Sequence, residues 1–170
     1  DITANPAVVT VGAIKGGIRH NIVPDEVEMV GTIRTFDPQQ RATILTNIER
    51  LVTHTAAASG ATATFTLDSG HNPVVRNDPV LTERVLPSLR SVAGAANVRP
   101  VPLMTGAEDF AFFAEKVPSF FFFVGVTPRE QNLLSAASNH SPLFAPVPEP
   151  TLKGAITSLS AAALDLLAKP

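Results

Sequence analysis

The chain has 170 residues, of which 45% are hydrophobic and 16% charged, and its formal net charge is -2. Because no block of like charge stands out, nucleic acid and anionic membrane surfaces are disfavoured as partners. No apolar segment reaches the roughly 20 residues needed to span a bilayer. The chain has no cysteine, so any metal must bind His, Asp or Glu. The lack of cysteine does not distinguish a cytoplasmic from a periplasmic location.

The first part of the chain has the pattern of an antiparallel α+β unit. Residues 7–14 are rich in β-branched side chains, and residues 26–34 alternate between apolar and polar side chains, so both predict strands. Asp37 followed by proline predicts the start of a helix. A second alternating stretch, residues 62–67, predicts a third strand. The expected order is strand, strand, helix, strand, with one open sheet face.

The second part, after residue 70, has the pattern of an α/β unit. Asp78 followed by proline predicts a helix, which Pro87 is expected to kink. Residues 98–103 predict a strand. Residues 119–126 contain four consecutive phenylalanines and predict a strand buried on both faces. Alternating strands and helices indicate an α/β sheet.

A final helix is predicted to begin at Glu149. Its apolar residues recur at helical spacing and predict one buried face. That face comprises Leu152, Ala155, Ile156, Leu159, Ala163, Leu166 and Leu167. The second unit has few strands for a complete sheet, so we expect the chain to be the C-terminal part of a larger protein.

Two adjacent acids in the turn at residues 104–110 are candidates for a functional site. Glu108 and Asp109 follow Gly106 and precede a helix expected over residues 107–116. Two acids that a turn places beside a buried sheet could form a catalytic acid pair. The alternative is that the acids cap the helix N-terminus, where the unpaired N–H groups stabilise negative charge.

Three further residues are candidates for binding. His140 lies in the long loop after the phenylalanine strand, where α/β folds collect ligands, and imidazole is a good zinc ligand. Arg34 and Asn21 could together hold a carboxylate, which Arg binds bidentately. The alternatives are a surface-loop histidine, a surface arginine and a turn asparagine. The other histidines, at positions 20, 54 and 71, have no metal-binding spacing.

Five short motifs in fixed order resemble those of a known enzyme family. They lie at residues 9–17, 21–26, 31–34, 106–110 and 140–144. Together they resemble the dizinc amidohydrolase and carboxypeptidase family, in the branch of hippurate hydrolases, N-acyl-amino-acid amidohydrolases and auxin-conjugate hydrolases. The resemblance covers essentially the whole chain.

The resemblance implies an incomplete two-domain architecture. Residues 1–70 resemble an α+β lid or dimerisation domain, ferredoxin-like, whose first strand and helix are largely missing. Residues 71–170 resemble the C-terminal part of an α/β zinc-peptidase catalytic domain. The family hydrolyses an amide bond next to a free carboxylate, and two divalent metal ions, usually zinc, activate a bridging water. The implied partners are an N-acyl amino acid or small peptide as substrate, and a second copy that forms a homodimer through the lid.

The resemblance also implies roles for single residues. His140 corresponds to a metal ligand, and Asn21 and Arg34 to lid residues that hold the substrate carboxylate and carbonyl. Gly106 and Glu108 correspond to the wall of the substrate pocket, whereas Asp109 and Phe110 correspond to structural positions.

The general-base glutamate and the other metal ligands of the family have no counterpart in this chain. We therefore expect no catalytic base here, and we expect the chain alone to be inactive without the missing N-terminal half of the same protein. Two alternatives are a non-catalytic dimerisation or binding module and a solitary α/β domain without a site.

Overall fold

The computed structural model describes residues 5–128 and 130–168. They form two compact units: residues up to Val74 with Leu103–Asp109, and Val75–Pro102 with the described residues from Phe110 onward. The elements are β1 Ala7–Gly16, β2 Val27–Thr35, α1 Pro38–Ala58, α2 Pro79–Ala93, a 3₁₀ turn Ala95–Asn97, α3 Ala111–Ala114 and α4 Pro148–Leu167. None of the helices in these ranges combines the length and the apolar character that crossing a membrane requires.

The first unit is built on an antiparallel β1–β2 hairpin, as predicted. The ladder runs from Ala7 opposite Thr35 to Gly16 opposite Val27, and its register shifts between Val11 and Ala13. Gly31 lies at this irregularity, and a Cβ there would clash with the carbonyl oxygen of Thr10. A side chain at position 31 would therefore force the two strands apart.

The predicted helix after the hairpin is confirmed as α1. The Asp37 carboxylate accepts a hydrogen bond of 2.7 Å from the backbone N–H of Gln40 and so caps the helix. Beyond the C-cap, Gly60 has a φ of 70°, a conformation that glycine adopts at little cost. Leu51 points outward and is 64% exposed.

The apolar side of the hairpin is exposed rather than half-buried. Val27 and Met29, two apolar residues of the alternating pattern in β2, are 52% and 63% exposed, and only the end of the strand is half-buried. The cause is that α1 contacts only part of β2.

The third predicted strand of this unit and the strand predicted at residues 98–103 are both wrong. Residues 61–68 and 98–108 run without ladder hydrogen bonds. A strand needs a neighbour to pair with, and within the described ranges β1 and β2 pair only with each other. Both segments therefore have the residue pattern of a strand, but neither has a neighbouring strand with which to form hydrogen bonds.

The second unit has its core between α2 and α4. The core consists of Val85, Leu89 and Ala162, which are 2%, 5% and 6% exposed. Partly buried apolar residues surround it: Leu81, Val98, Phe120, Phe122 and Leu166. Polar contacts join the same helices, since the Ser88 hydroxyl donates to the Asp165 carboxylate and Arg84 donates to the Leu166 carbonyl at 3.0 Å.

Helix α2 begins where the sequence predicts. The Asp78 carboxylate accepts from the backbone N–H of Leu81 at 2.8 Å, and Gly94 closes the helix with a φ of 83°. Pro87 lies inside the helix, which runs on to Ala93. Proline there removes one hydrogen bond but does not end the helix, because Val85 and Leu89 on either side of it are anchored in the core.

The phenylalanine segment is not a strand buried on both faces. No ladder forms over residues 119–126, and Phe123 is 57% exposed. The Asn77 side chain takes the place of a partner strand, because its Nδ2 donates to the Phe121 carbonyl at 2.9 Å and its Oδ1 accepts from the Phe121 N–H at 2.8 Å. The backbone N–H of Asp78 adds a bond of 2.9 Å to the Ser119 carbonyl. The expected α/β sheet is thus not formed by the described residues of this unit.

The last two helices differ from prediction in extent or orientation. Helix α3 has four residues and begins at Ala111, four residues later than expected. Helix α4 begins at Pro148, within one residue of the prediction, but its buried residues are Ser158 and Ala162. Five of the residues predicted to face inward are instead exposed: Leu152, Ile156, Leu159, Ala163 and Leu167. The small Ala162 packs in the core with Val85 and Leu89 of α2, which allows the two helices to approach closely.

Candidate functional site

Arg34 connects the hairpin to the distant segment that carries the acid pair. It lies near the end of β2, is half-buried, and its Nη1 donates a hydrogen bond of 2.7 Å to the carbonyl of Thr105. The two residues are 71 positions apart in sequence and belong to the same compact unit. This contact joins residues 103–109 to the hairpin.

Gly106 and Glu108 follow directly after this contact. Gly106 is exposed and Glu108 is half-buried. Three of the predicted substrate-binding residues, Arg34, Gly106 and Glu108, therefore lie on two segments that the Arg34–Thr105 hydrogen bond joins. The alternative prediction, a capping pair, is wrong, because α3 begins after Phe110 and has no side-chain cap.

Asn21 lies apart from this contact, in the loop between β1 and β2. It is exposed, and a turn bond of 3.4 Å from the Ile22 N–H to the Arg19 carbonyl shapes the loop around it. Among the described hydrogen bonds, none joins Asn21 to Arg34. The structure thus places Asn21 in the same unit but does not bring its side chain to the guanidinium.

His140 belongs to the second unit and lies on an exposed loop between the phenylalanine segment and α4. The loop is closed at its base by a bond of 3.2 Å from the Val147 N–H to the Val126 carbonyl. His140 lies within a turn from Ser138 to Ser141, and a second turn from Ser141 to Phe144 follows it. The His140 imidazole is exposed to solvent, and the backbone around it is held by these two turns.

The described residues do not assemble a metal centre. No group of three or more His, Asp or Glu side chains among them could hold a metal ion. All four histidines, at positions 20, 54, 71 and 140, are exposed. A protein zinc site needs three or four ligands, so His140 alone does not fit a resident metal in this chain.

The arrangement can bind an anion in the first unit. A guanidinium has five N–H donors in a planar fork, and Arg34 uses one of its nitrogens on Thr105. That bond orients the group, and the remaining donors suit a carboxylate. Sequence reasoning missed Thr105, because a backbone carbonyl gives no signal in a sequence.

Comparison with known proteins identifies the family to which the chain is related, which the geometry of the site does not. Residues 4–164 match the model of peptidase family M20/M25/M40. The chain is 34% identical over 148 residues to thermostable carboxypeptidase 2 of Saccharolobus solfataricus. This match covers 87% of the present chain and 36% of the carboxypeptidase. The chain is also 34% identical over 119 residues to N-acetyldiaminopimelate deacetylase of Leuconostoc citreum. This match covers 70% of the present chain and 30% of the deacetylase.

A solved structure agrees with these matches. It is that of the Bacillus subtilis YXEP protein, described as a dinuclear metal binding peptidase from the M20 family. Its TM-score is 0.72 at 29% identity, and the match covers 95% of this chain and 42% of that chain. The chain therefore spans about a third of the length of the curated relatives that it matches.

The family resemblance carried by the five sequence motifs is confirmed by these matches, which extend over almost the entire chain. The chain belongs to peptidase family M20/M25/M40.

Proposed function

We propose that the chain is part of a metal-dependent hydrolase that cleaves the amide bond of an N-acyl amino acid or a small peptide. The observation that carries the proposal is the Arg34–Thr105 hydrogen bond, which joins the guanidinium to the backbone one residue before Gly106 and three residues before Glu108. A cation held in this way selects substrates with a free carboxylate next to the scissile amide. The names of the relatives, a carboxypeptidase and an N-acetyl-amino-acid deacetylase, support such substrates.

In this proposal each candidate residue of the chain has a separate role in binding the substrate or the metal. Arg34 binds the substrate carboxylate, Asn21 donates from its amide to the substrate, and Gly106 and Glu108 form the pocket wall. His140 is one ligand of a centre with two divalent metal ions, for which zinc is the proposed metal. The other ligands and the general base would come from the missing N-terminal half, because the described residues hold no metal-binding group of their own.

We assign the two parts of the chain accordingly. Residues 1–70 would form the lid, and residues 71–170 the C-terminal part of the catalytic domain. A homodimer through the lid is supported by the hairpin, whose strands pair only with each other in the described ranges and so leave an unpaired edge on each side. Exposed apolar residues on the same hairpin, among them Val9 and Met29, add area that a partner could cover.

A second candidate function also fits the described residues, which hold no metal-binding group. In that case the chain is a dimerisation or binding module without catalytic activity. The two candidates differ in what happens when the rest of the family fold is supplied.

A chimera provides the test. The 170 residues replace the segment that they match in the Bacillus subtilis YXEP protein, and this fusion is called the chimera below. We expect the chimera to hydrolyse an N-acetyl amino acid faster than its methyl ester, which lacks the carboxylate. Arg34→Ala should lower kcat/KM for the acid by about 30- to 150-fold, since a hydrogen bond to a charged group contributes roughly 2 to 3 kcal/mol.

The controls separate binding from folding. The exposed Arg50→Ala on α1 should leave the preference for the acid unchanged. An Arg34→Ala chimera that still prefers the acid to the ester as strongly as the parent would remove Arg34 from the site. A folded, metal-loaded chimera without amidase activity would favour the binding module.

A further inference from the structure

The loop that carries His140 also carries a pair of highly exposed leucines. We call it the His140 loop and define it as residues 127–146. Leu133 and Leu134 are 76% and 96% exposed, and Leu134 is the most exposed of the large apolar side chains that the structure describes. Side chains this exposed contribute little burial to folding. Loops of this length on a folded unit are usually binding or active-site loops, so the pair is a candidate for contact with a ligand.

Hydrogen bonds within the loop hold the leucine pair in its exposed position. The Asn132 Oδ1 accepts from the backbone N–H of Leu134 at 2.9 Å. The Asn132 carbonyl accepts from the backbone N–H and from the hydroxyl of Ser135, both at 3.1 Å. Asn132–Ser135 is therefore a turn with the two leucines at its centre. The exposed apolar residues of β1, β2 and α4 differ, because they lie on faces of regular elements that a neighbouring element can cover.

The His140 loop packs on itself, so the leucine turn and His140 belong to one compact structure. The bond of 3.2 Å between the Val147 N–H and the Val126 carbonyl closes its base. Residues from both halves of the loop line one small cavity: Gln131, Ala136 and Ala137 from the first half, and Leu143 and Phe144 from the second. The leucine pair and His140 each lie between residues that line this cavity, so the loop itself sets their relative position.

The separation of the leucine pair from His140 suits a small ligand. Leu134 and His140 are six positions apart, and six residues reach at most about 20 Å when fully extended. The turns at Asn132–Ser135 and Ser138–Ser141 shorten that path, because a β-turn brings residues three positions apart to within about 7 Å. A ligand that is bound at His140 and carries a flexible aliphatic chain can therefore contact the leucines.

In the proposed function the acyl group is the part of the substrate that begins next to this loop. The scissile amide is cleaved beside His140, and Arg34 binds the carboxylate of the amino-acid part. One substituent of the amide carbonyl carbon is the acyl chain, and the other is the nitrogen that leads to that carboxylate. The acyl chain is thus the part that remains for the surface beside His140. An aliphatic chain that contacts Leu133 and Leu134 removes apolar area of both from water.

We propose that Leu133 and Leu134 form an acyl subsite, which selects N-acyl amino acids with a long aliphatic acyl chain over those with an acetyl group. The inference rests on the proposed function and adds the substrate class that the same site takes. The leucine pair binds the chain and takes no part in the chemistry, so it determines which acyl group is preferred. Its contribution grows with the number of acyl carbons that reach the turn and is absent for acetyl.

The test varies the length of the acyl chain in the chimera and keeps alanine as the amino acid. The substrates are N-acetyl-, N-butanoyl- and N-octanoyl-alanine, and the acyl preference is kcat/KM for octanoyl divided by kcat/KM for acetyl. We expect a preference above one in the parent chimera. Leu134→Ala should lower kcat/KM for N-octanoyl-alanine about tenfold and leave that for N-acetyl-alanine within about twofold, since loss of apolar contacts affects only the longer chain. Leu134→Met keeps an apolar side chain and should retain the preference.

Leu164→Ala is the matched control, because Leu164 is a 68% exposed leucine of the same compact unit that lies outside the loop. It should leave the acyl preference unchanged. Leu133→Ala is the second variant and replaces Leu134→Ala if that variant does not fold. A parent preference of one or less would overturn the acyl subsite, as would a preference that neither loop variant lowers or that Leu164→Ala lowers equally. Loss of a preference for N-acetyl-leucine over N-acetyl-alanine, with octanoyl unaffected, would assign the pair to the amino-acid side chain and overturn the proposal.

Calorimetric binding separates this proposal from the proposed function, because it needs no turnover. If the chimera is inactive, the binding of N-acetyl- and N-octanoyl-alanine is measured instead. Tighter binding of the octanoyl compound that Leu134→Ala abolishes would support the acyl subsite and refute the proposed function alone. An active chimera whose acyl preference does not respond to Leu134→Ala would refute the acyl subsite alone. An inactive chimera whose binding does not respond to Leu134→Ala would overturn both.

Discussion

Asn77 substitutes for a neighbouring strand, and removing its side chain should destabilise the second unit. Its amide makes both hydrogen bonds that a paired strand would make to Phe121, at 2.9 and 2.8 Å. These bonds fix the phenylalanine segment, two members of which, Phe120 and Phe122, pack against the α2–α4 core. Asn77→Ala removes both bonds and leaves the two backbone groups of Phe121 to water.

The expected cost follows from the number and exposure of these bonds. A neutral hydrogen bond contributes about 0.5 to 1.5 kcal/mol net, and both bonds are solvent-exposed, which places each at the lower end. The sum is about 1 to 2 kcal/mol of unfolding free energy. With a urea m-value of about 1 to 2 kcal/mol per molar for a chain of this size, the midpoint should fall by about 1 M.

The assay is urea unfolding of the 170-residue chain followed by circular dichroism at 222 nm. Fluorescence is unsuitable because the chain has neither tryptophan nor tyrosine. Asn72→Ala, at an exposed loop position, is the control and should leave the midpoint unchanged. An Asn77→Ala midpoint equal to that of the control would refute the view that this side chain replaces a strand partner.

Three further substitutions test other parts of the structure. Leu89→Ala should lower the free energy of unfolding by about 2 to 3 kcal/mol, because it opens a cavity in a core with few buried residues. Leu164→Ala, at an exposed position, should change the free energy of unfolding by less than about 0.5 kcal/mol. Equal effects of the two substitutions in urea unfolding would show that the core lies elsewhere. Asp78→Ala should cost about 1 kcal/mol through loss of the α2 cap, and an unchanged urea midpoint would show that the cap is dispensable. In the chimera Arg34→Lys should recover only part of the kcat/KM lost in Arg34→Ala, because ammonium keeps the charge but not the planar fork; full recovery would argue against bidentate binding.

Local signals predicted the elements whose stabilising contacts lie nearby in sequence. Asp37 and Asp78 cap helices through backbone groups three residues ahead, so the start of α1 and α2 could be read directly. The hairpin likewise pairs two consecutive segments. Helix starts and hairpins depend on neighbours that any window of sequence contains.

Predictions failed where the stabilising partner is distant or absent from the described residues. The phenylalanine segment has the side chains of a buried strand, but its hydrogen bonds go to Asn77, 44 positions earlier. The inward face of α4 was predicted from the helical spacing of its apolar residues, of which Leu166 packs against the core, whereas the buried residues of the helix are Ser158 and Ala162. A periodic pattern identifies apolar faces, but it does not tell which of two faces a given neighbour covers.

The candidate site divides in the same way. The residues of interest could be selected from motifs, but the contact between Arg34 and Thr105 spans 71 positions and involves a carbonyl that every residue has. Asn21 and Arg34 are close in sequence, yet the described hydrogen bonds do not join them. Proximity in sequence therefore suggested a contact between Asn21 and Arg34 that is not formed. It gave no indication of the contact between Arg34 and Thr105.

The central claim is that this chain contributes His140 and Arg34 to a hydrolase whose metal centre it does not hold by itself. Zinc titration by isothermal calorimetry, on the 170-residue chain and on the chimera, tests it most directly. The 170-residue chain should show no tight stoichiometric binding, because its described residues provide no group of three ligands. The chimera should bind zinc tightly, and His140→Ala should weaken that binding. Tight stoichiometric zinc binding at His140 by the 170-residue chain alone would contradict the account.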